Sequence, residues 1–183
     1  MPAFSTRPLY AALLGASVFL LGACDSGGPE VSPGPTLASI TVNLGAVQSF
    51  GDCDSDTNPG DFQFQVSFVD EGNNLLDRAD LPNGTAYGTY DADTFIFLSD
   101  RDRRTLGTSL TGQRPRQEGS GFALTFAGME WDSGTARDGT FDDINATASY
   151  GYRDGAFQGV VGAKSITLRG KCNVVLDYTI TVQ

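Results

Sequence analysis

The chain of 183 residues contains no histidine, and this absence excludes several classes of function. Without imidazole there is no His-activated serine or cysteine nucleophile, no His-ligated metal site and no imidazole switch near neutral pH. Basic residues are also scarce, because 12 Lys and Arg face 22 Asp and Glu and leave a net charge of −10. Phosphate contacts need an excess of Lys and Arg, so nucleic acid is not an expected partner.

Long apolar runs and helical periodicity are scarce as well. The longest apolar run, Leu9–Leu21, has 13 residues, fewer than the about 20 that a helix needs to cross a bilayer. No window shows a sustained helical period, and 23 Gly with 8 Pro indicate many turns. Since 40% of the residues are hydrophobic, the chain can still bury a core. The composition favours one domain of short β-strands.

The first 23 residues have the features of a secretory signal peptide. Arg7 is their only charge, an apolar run follows it, and small residues end the segment. The stretch Leu21-Gly22-Ala23-Cys24 resembles the lipobox of bacterial lipoproteins. The resemblance implies that the Cys24 sulfur receives a diacylglyceryl group and that the signal peptide is cut before Cys24, whose new amino terminus is acylated. An uncleaved anchor and a secreted protein without lipid are the alternatives.

Cleavage before Cys24 would leave 160 of the 183 residues, with 11 basic and 22 acidic side chains and a net charge of −11. Residues 24–36 are rich in Gly, Pro and Ser, so we expect them to be a flexible tether between the lipid and the domain. Several acyl chains would hold the protein durably on a membrane. The expected location is the bacterial cell envelope, on the outer membrane or the periplasmic face of the inner membrane.

From residue 37 to residue 183 the dominant hydrophobic period is two, which is typical of half-buried strands. The alternation is clearest over Ala38–Leu44, Phe62–Phe68 and Val174–Val182. With these three, the predicted strands number nine. The six weaker ones cover Ala86–Tyr90, Thr94–Leu98, Thr105–Leu110, Phe122–Phe126, Ile144–Tyr152 and Lys164–Arg169.

The three cysteines limit the strand count. If Cys24 carries lipid, Cys53 and Cys172 remain as an even pair in an oxidising compartment, and we predict a disulfide between them in preference to two free thiols. That bond requires the end of the first strand and the start of the last to meet at one pole. If successive strands alternate in direction, eight strands satisfy this condition and nine do not. One of the weak predictions, Ala86–Tyr90 or Thr105–Leu110, is therefore not expected to be a full strand. The predicted fold is an eight-stranded antiparallel β-sandwich.

Aspartate dominates the acidic residues and collects in two inferred loops. Of the 22 acids 18 are Asp, and the clusters cover residues 51–61 and 130–143. Clustered loop carboxylates can supply the 6–8 oxygen ligands that Ca²⁺ takes. The spacing of Asp52, Asp54 and Asp56 is similar to that of an EF-hand, but Thr57 and Gln63 stand where that loop needs Gly and Glu.

Both acidic clusters are similar to calcium loops of the C2 domain, an eight-stranded antiparallel sandwich. Ser39–Leu44 with Asp54, Asp56 and Gly60-Asp61-Phe62-Gln63-Phe64 resembles the first loop, and Trp131-Asp132 with Asp138 and Asp142-Asp143-Ile144 resembles the third. Eight strands place both loops at the pole of the disulfide. The resemblance implies a Ca²⁺ site with the ligands Asp54, Asp56, Asp61, Asp132, Asp138 and Asp142, followed by Asp52 and Asp143.

A second interpretation needs no metal. Asp is common in turns because its side chain bonds the local backbone, and a high net charge keeps salt-adapted surfaces soluble. The domain would then bind a glycan or another envelope protein through exposed aromatic residues and loop tips. Trp131, Tyr150 and Tyr152 are expected in the core or at its rim. The arginines are expected in one solvated loop: Arg101, Arg103, Arg104, Arg114 and Arg116.

We do not expect an enzyme. Glycoside hydrolysis would need two carboxylates in an aromatic cleft, one of them with a raised pKa, and no spacing among the four Glu singles out a pair. The expected protein is a monomer attached to the membrane through its lipid. An envelope protein or a glycan is the expected partner of the domain.

Overall fold

Alternating apolar residues form ten β-strands in the computed structural model, which describes residues 33–51, 59–90, 94–131, 144–170 and 172–183. Across those ranges no helix is long and apolar enough to cross a membrane. The strands are β1 (Leu37–Phe50), β2 (Gly60–Asp70), β3 (Leu75–Leu81), β4 (Ile96–Leu98), β5 (Arg103–Pro115), β6 (Gly121–Trp131), β7 (Ile144–Arg153), β8 (Ala156–Phe157), β9 (Gly162–Arg169) and β10 (Asn173–Val182).

Eight strands form one antiparallel path in the order β3-β2-β6-β7-β9-β10-β1-β5, while the short strands β4 and β8 pair with β2 and β7. The link between β7 and β9 is the single pair Asn145↔Arg169. The path therefore bends there into two four-stranded halves, the β2/β6 sheet (β3-β2-β6-β7) and the β1/β10 sheet (β9-β10-β1-β5). The outer strands β3 and β5 also meet, because the Thr111 backbone N–H donates to Asp77 Oδ2 at 2.8 Å.

The core lies between the inner faces of the two sheets. Val42 and Ile180 from one sheet and Phe64 from the other have no exposed surface. The rings of Phe126 and Tyr178 join the layers with centroids 5.2 Å apart. Burial of this apolar surface, at about 25 cal/mol per Å², is the main force that holds the sheets together.

The eight-strand path confirms the predicted all-β antiparallel architecture. The three strongest predicted strands are present as parts of β1, β2 and β10. Ala86–Tyr90 is not a strand, whereas Thr105–Leu110 belongs to the full-length β5. The sequence prediction missed β3, since its charged residues Asp77, Arg78 and Asp80 are typical of a loop.

The expectation that five arginines share a solvated loop was wrong. Arg103 and Arg104 begin strand β5, and Arg114 lies near its end. At about 3.3 Å per residue, Arg104 and Arg114 are about 33 Å apart along this strand. The arginines therefore divide between opposite ends of the sandwich, and Arg114 is buried.

Candidate cation-binding pole

The strand register places the flanks of both acidic segments at one end of the sandwich, here called the acidic pole. Phe50 at the end of β1 pairs with Asn173 at the start of β10. Trp131 at the end of β6 pairs with Asp61 near the start of β2. Arg169 pairs with Asn173 of β10 and with Asn145 of β7, so these two pairs lie at the same end of the sandwich. The described residues on both sides of each acidic segment therefore lie at this pole, which agrees with the prediction from the eight-strand count.

Of the predicted ligands, Asp61 lies within the described ranges. It is half-buried on the outer face of β2, opposite Phe97 of β4 and Trp131 of β6. In the part of the chain that the structure describes, no group of three acidic or cysteine residues could hold a metal ion. The Ca²⁺ prediction thus depends on residues outside those ranges, as do the predictions for Cys24 and Cys53. The remaining predicted ligands are Asp52, Asp54, Asp56, Asp132, Asp138, Asp142 and Asp143.

Glu130 is a buried acid at the acidic pole that the predicted ligand set omits. It pairs with Phe62 across β2 and β6, and 2% of it is exposed. A Cβ built on Gly60 would lie 3.4 Å from its Cγ, so Glu130 faces the interior beside the start of β2. The signal was present in the sequence, because Glu130 has the same parity as Phe126. A buried carboxylate requires a hydrogen-bond or cation partner.

Basic residues surround the acidic pole as well. Arg103 pairs with Gln48 near the end of β1, which places the start of β5 at this pole. An ion pair between exposed side chains contributes up to about 1 kcal/mol to the stability of the fold. The residues that border the acidic pole, here called its rim, therefore include acidic and basic side chains that lie close to one another. Its ion pairs are Arg103–Asp177 at 2.6 Å, Arg101–Asp100 at 3.7 Å and Arg104–Asp102 at 3.9 Å.

A small aromatic cluster supports the outer side of the acidic pole. Phe95, Met129 and Trp131 are buried together, outside the main core. The Tyr90 ring contacts Trp131 with centroids 5.0 Å apart. Trp131 is 7% exposed, so it is a packing residue and not an open platform. The cluster fixes the end of β6, from which the second acidic segment departs.

Gln63 holds the β3–β4 connection against this cluster. Its side chain has no exposed surface, its Nε2 donates to the Thr89 carbonyl at 2.7 Å, and its Oε1 accepts from the Gly88 N–H at 3.0 Å. The backbone of the connection thus supplies the hydrogen-bond partners that the buried Gln63 amide needs. Gln63 is therefore a structural residue, even though it stands in the C2-like motif.

The opposite end of the sandwich is closed by a buried arginine. Arg114 Nε donates to the Gly121 carbonyl at 2.9 Å, and its guanidinium pairs with Glu71 and lies 3.8 Å from Asp70. Hydrogen bonds from the side chain and backbone of Asn74 lower the pKa of the Asp70 carboxyl. This network joins β5 to the β2–β3 turn and to β6.

The two tyrosines between the sheets are also structural. The hydroxyls of Tyr150 and Tyr178 lie 2.8 Å apart and hydrogen-bond across the layers. The pKa of the Tyr150 phenol is raised, mainly because the group is buried and secondly because of this hydrogen bond. Tyr152 is buried against the Phe157 ring at 5.0 Å. Core or rim positions for Tyr150 and Tyr152 are therefore confirmed.

Comparison with known proteins gives structural similarities alone. No family model and no curated protein matches the chain. Human GIVD cytosolic phospholipase A2, in complex with a methyl γ-linolenyl fluorophosphonate inhibitor and terbium chloride, aligns over 81% of this chain at a TM-score of 0.43 and 10% identity. The chain spans 17% of the length of that protein.

A C2 domain protein from Ramazzottius varieornatus aligns over 80% of this chain and 89% of its own length. Its TM-score is 0.36 and its identity 12%. Both matches have low scores, so the all-β antiparallel architecture rests on the strand order described above.

Proposed function

We propose that this protein is a lipid-anchored envelope protein whose β-sandwich binds Ca²⁺ at the acidic pole and has no catalytic activity. The observation that supports the proposal is the strand register, which brings the flanks of both acidic segments to one edge. A site built from two segments needs ordered flanks, since these reduce the conformational entropy lost when the ligands gather. Ordered strands precede and follow both segments here.

Electrostatics favours a cation at this pole. The predicted ligands Asp52, Asp54 and Asp56 come from the first segment, and Asp132, Asp138, Asp142 and Asp143 from the second. Carboxylates gathered at one end repel one another, and a divalent cation relieves that repulsion. Carboxylate oxygens are also the ligands that a hard cation such as Ca²⁺ prefers. The arginines of the rim offset part of the charge, and three of them are paired with other acids.

The proposed anchor is the lipid on Cys24, followed by the tether of residues 24–36. The tether leads into β1, whose first residue Leu37 pairs with Pro115 at the end of β5. This is the end of the sandwich opposite the acidic pole. The described part of the chain therefore begins at the end away from the acidic pole. Localisation in the bacterial envelope follows from the same lipobox.

We propose that Cys53 and Cys172 form the disulfide at the acidic pole. Cys172 is disulfide-bonded, and the residue after it, Asn173, pairs with Phe50. Cys53 follows Phe50 by three residues, so the pairing needs only a short connection. The bond would tie the first acidic segment to the start of β10.

The decisive experiment measures metal content and thermal unfolding of the detergent-solubilised full chain, with Ca²⁺ and with EDTA. We expect bound calcium and a higher melting temperature with Ca²⁺, since a ligand at 100 times its dissociation constant stabilises the folded state by about 2.7 kcal/mol. Asp54→Asn combined with Asp132→Asn should remove most of this increase. Asp154→Asn, an exposed acid in the turn at the opposite end, is the control with an unchanged calcium response.

A protein purified without calcium, whose melting curve is the same in Ca²⁺ and EDTA, would overturn the metal site. The second candidate function would then apply, namely metal-free binding of an envelope partner. It is favoured by exposed aromatics at the same pole, where Phe50, Tyr90 and Phe97 are 42%, 42% and 45% exposed. Exposed aromatic clusters mark interaction surfaces. Partner binding that persists in EDTA and is lost on Phe97→Ser would support it.

A further inference from the structure

The outer face of the β1/β10 sheet contains a groove of about 660 Å³ that is separate from the predicted ligands of the acidic pole. Its volume lies in the range of small-molecule sites, about 300–1,000 Å³. Backbone and small side chains form most of its floor, and one ion pair spans it. Its lining residues include Gly45, Arg103, Ala163, Ser165, Asp177 and Thr179.

The groove exists because β1 and β5 are both irregular at the same level. Against β10 the register of β1 shifts between Leu44 and Ala46, so that Gly45 is an extra residue of β1. Against β5 the shift is the reverse, because Leu106 and Gly107 lie opposite Gly45. The partner strand β5 contains Gly107 at φ 64° opposite this point. A bulge bends its strand and increases the local twist of the sheet.

Gly45 also keeps the centre of the groove free of side-chain atoms. A Cβ at this position would approach the Asp177 carbonyl oxygen to 3.3 Å. On the other side of β10 the groove is lined by Ala163 of β9, whose side chain is a single methyl group. A ligand can therefore lie directly against the strands, with C–H groups against these small residues.

The polar groups of the groove are arranged for hydrogen bonding to a neutral ligand. Arg103 and Asp177 form an ion pair at 2.6 Å while their side chains stay 55% and 34% exposed. Their charges cancel, and each retains unused donors or acceptors. In the part of the chain that the structure describes, the hydroxyls of Ser165 and Thr179 make no side-chain hydrogen bond. Two hydroxyls and a charged donor–acceptor pair thus face one small space.

Charge and the number of carboxylates disfavour an anion or a hard metal ion in this groove. An anion would have to break the Arg103–Asp177 pair and approach a molecule with a net charge of −10. The second cation of the groove, Lys164, already donates from Nζ to the Gly159 carbonyl and lies over the Tyr150 ring at 5.6 Å. A hard metal ion needs 6–8 oxygen ligands, and among the described residues that line this groove Asp177 is the one carboxylate.

We propose that this groove binds a neutral carbohydrate, with vicinal hydroxyls bonded to the Arg103–Asp177 pair and to Ser165 and Thr179. The sugar hydroxyl both donates and accepts, so it can donate to the Asp177 carboxylate while it accepts from the Arg103 guanidinium. The C–H face of the ring lies on Gly45 and Ala163. The residues that line this groove are different from the residues predicted to bind calcium at the acidic pole.

The test is calorimetric titration of the full chain with neutral trisaccharides of glucose, galactose and mannose, in EDTA. We expect saturable binding of at least one of them, weakened tenfold or more by Ser165→Trp, which fills the groove, and by Asp177→Asn. Thr181→Trp is the matched control, an exposed residue on the same face outside the groove, and should bind like the wild type. Melting curves verify that each variant is folded.

Two outcomes would overturn the proposal: no trisaccharide binds, or Ser165→Trp and Thr181→Trp bind with the same affinity. The double variant Asp54→Asn, Asp132→Asn separates this site from the proposed calcium site. It should lose the calcium response and keep the trisaccharide affinity. Failure of one proposal is therefore distinguishable from failure of the other.

Discussion

At the scale of single residues, Arg114 shows how strand parity can bury a charge. It follows Leu110 and Gly112 on the inner face of β5, and 8% of it is exposed. A guanidinium in that position is stable only if its donors are bonded, and Gly121 and Glu71 supply the partners. The alternation that defines the strand therefore also determined that this arginine faces inward, although charge alone suggested a solvated loop.

We expect Arg114→Met to lower the free energy of unfolding by about 1–3 kcal/mol, because the Gly121 carbonyl loses its donor. The figure stays below that of a fully buried ion pair, since the partner Glu71 is half exposed. Arg116→Met removes the same charge from an exposed position and should change stability by less than about 0.5 kcal/mol. Urea unfolding compares the two variants, and equal effects would show that Arg114 acts through net charge alone.

At the scale of elements, the contact between β2 and β5 depends on a glycine. Gly112 lies on the inner face of β5, where a Cβ would come within 2.5 Å of Phe68 Cε1. Phe68 has no exposed surface and contacts Phe122 with ring centroids 5.1 Å apart, so it has no room to withdraw. The absent side chain lets the large ring of one sheet reach the backbone of the other. Close packing of the two layers follows from this fit.

Gly112→Ala should therefore destabilise the protein by about 1–3 kcal/mol through overpacking. The control is Gly151→Ala, a glycine in β7 with no atom within 4 Å of a Cβ and no positive φ. That variant should be neutral or slightly stabilising, since alanine restricts the unfolded chain. Thermal and denaturant unfolding measure both. If the two alanine variants have equal stability, Phe68 does not pack as tightly as described.

At the scale of the whole molecule, the two ends of the sandwich differ in the residues that they contain. The end with the chain entry at Leu37 is closed by Arg114 and its carboxylates. The acidic pole gathers the ends of β1, β6 and β9 and the proposed disulfide. A bond between Cys53 and Cys172 would close a loop that contains most of the domain. In the chain-entropy model such a loop contributes about 4–5 kcal/mol.

Reduction should therefore lower the unfolding midpoint of the full chain in urea by an amount that Cys53→Ser reproduces without reductant. Cys24→Ser, which removes the proposed lipid site, should leave the response to reductant unchanged. The measurement is urea unfolding of each variant with and without dithiothreitol. If Cys53→Ser remains sensitive to reductant while Cys24→Ser does not, Cys172 pairs with Cys24 and the proposed bond is wrong.

Much of the architecture was predictable from local alternation. In β10 the residues Val174, Leu176 and Ile180 share one parity, and all three are buried. In β3 the alternation is hidden, because Arg78 and Asp80 form an ion pair with each other on one face. The bulge at Gly45 was not predictable either, since a register shift is defined only relative to the neighbouring strands. Glu130 had a readable parity, but its place beside Gly60 required the pairing of β2 with β6.

The sequence by itself determined most of the long strands, which of their faces is buried, and that the two runs of clustered Asp lie between strands along the chain. These properties depend on neighbours one and two positions away, because successive side chains of a strand point to opposite faces. The tertiary structure alone decided that β1 pairs with both β5 and β10 and that Arg103 meets Asp177. Pairings between distant strands are selected by the packing of the whole core, which no local pattern contains.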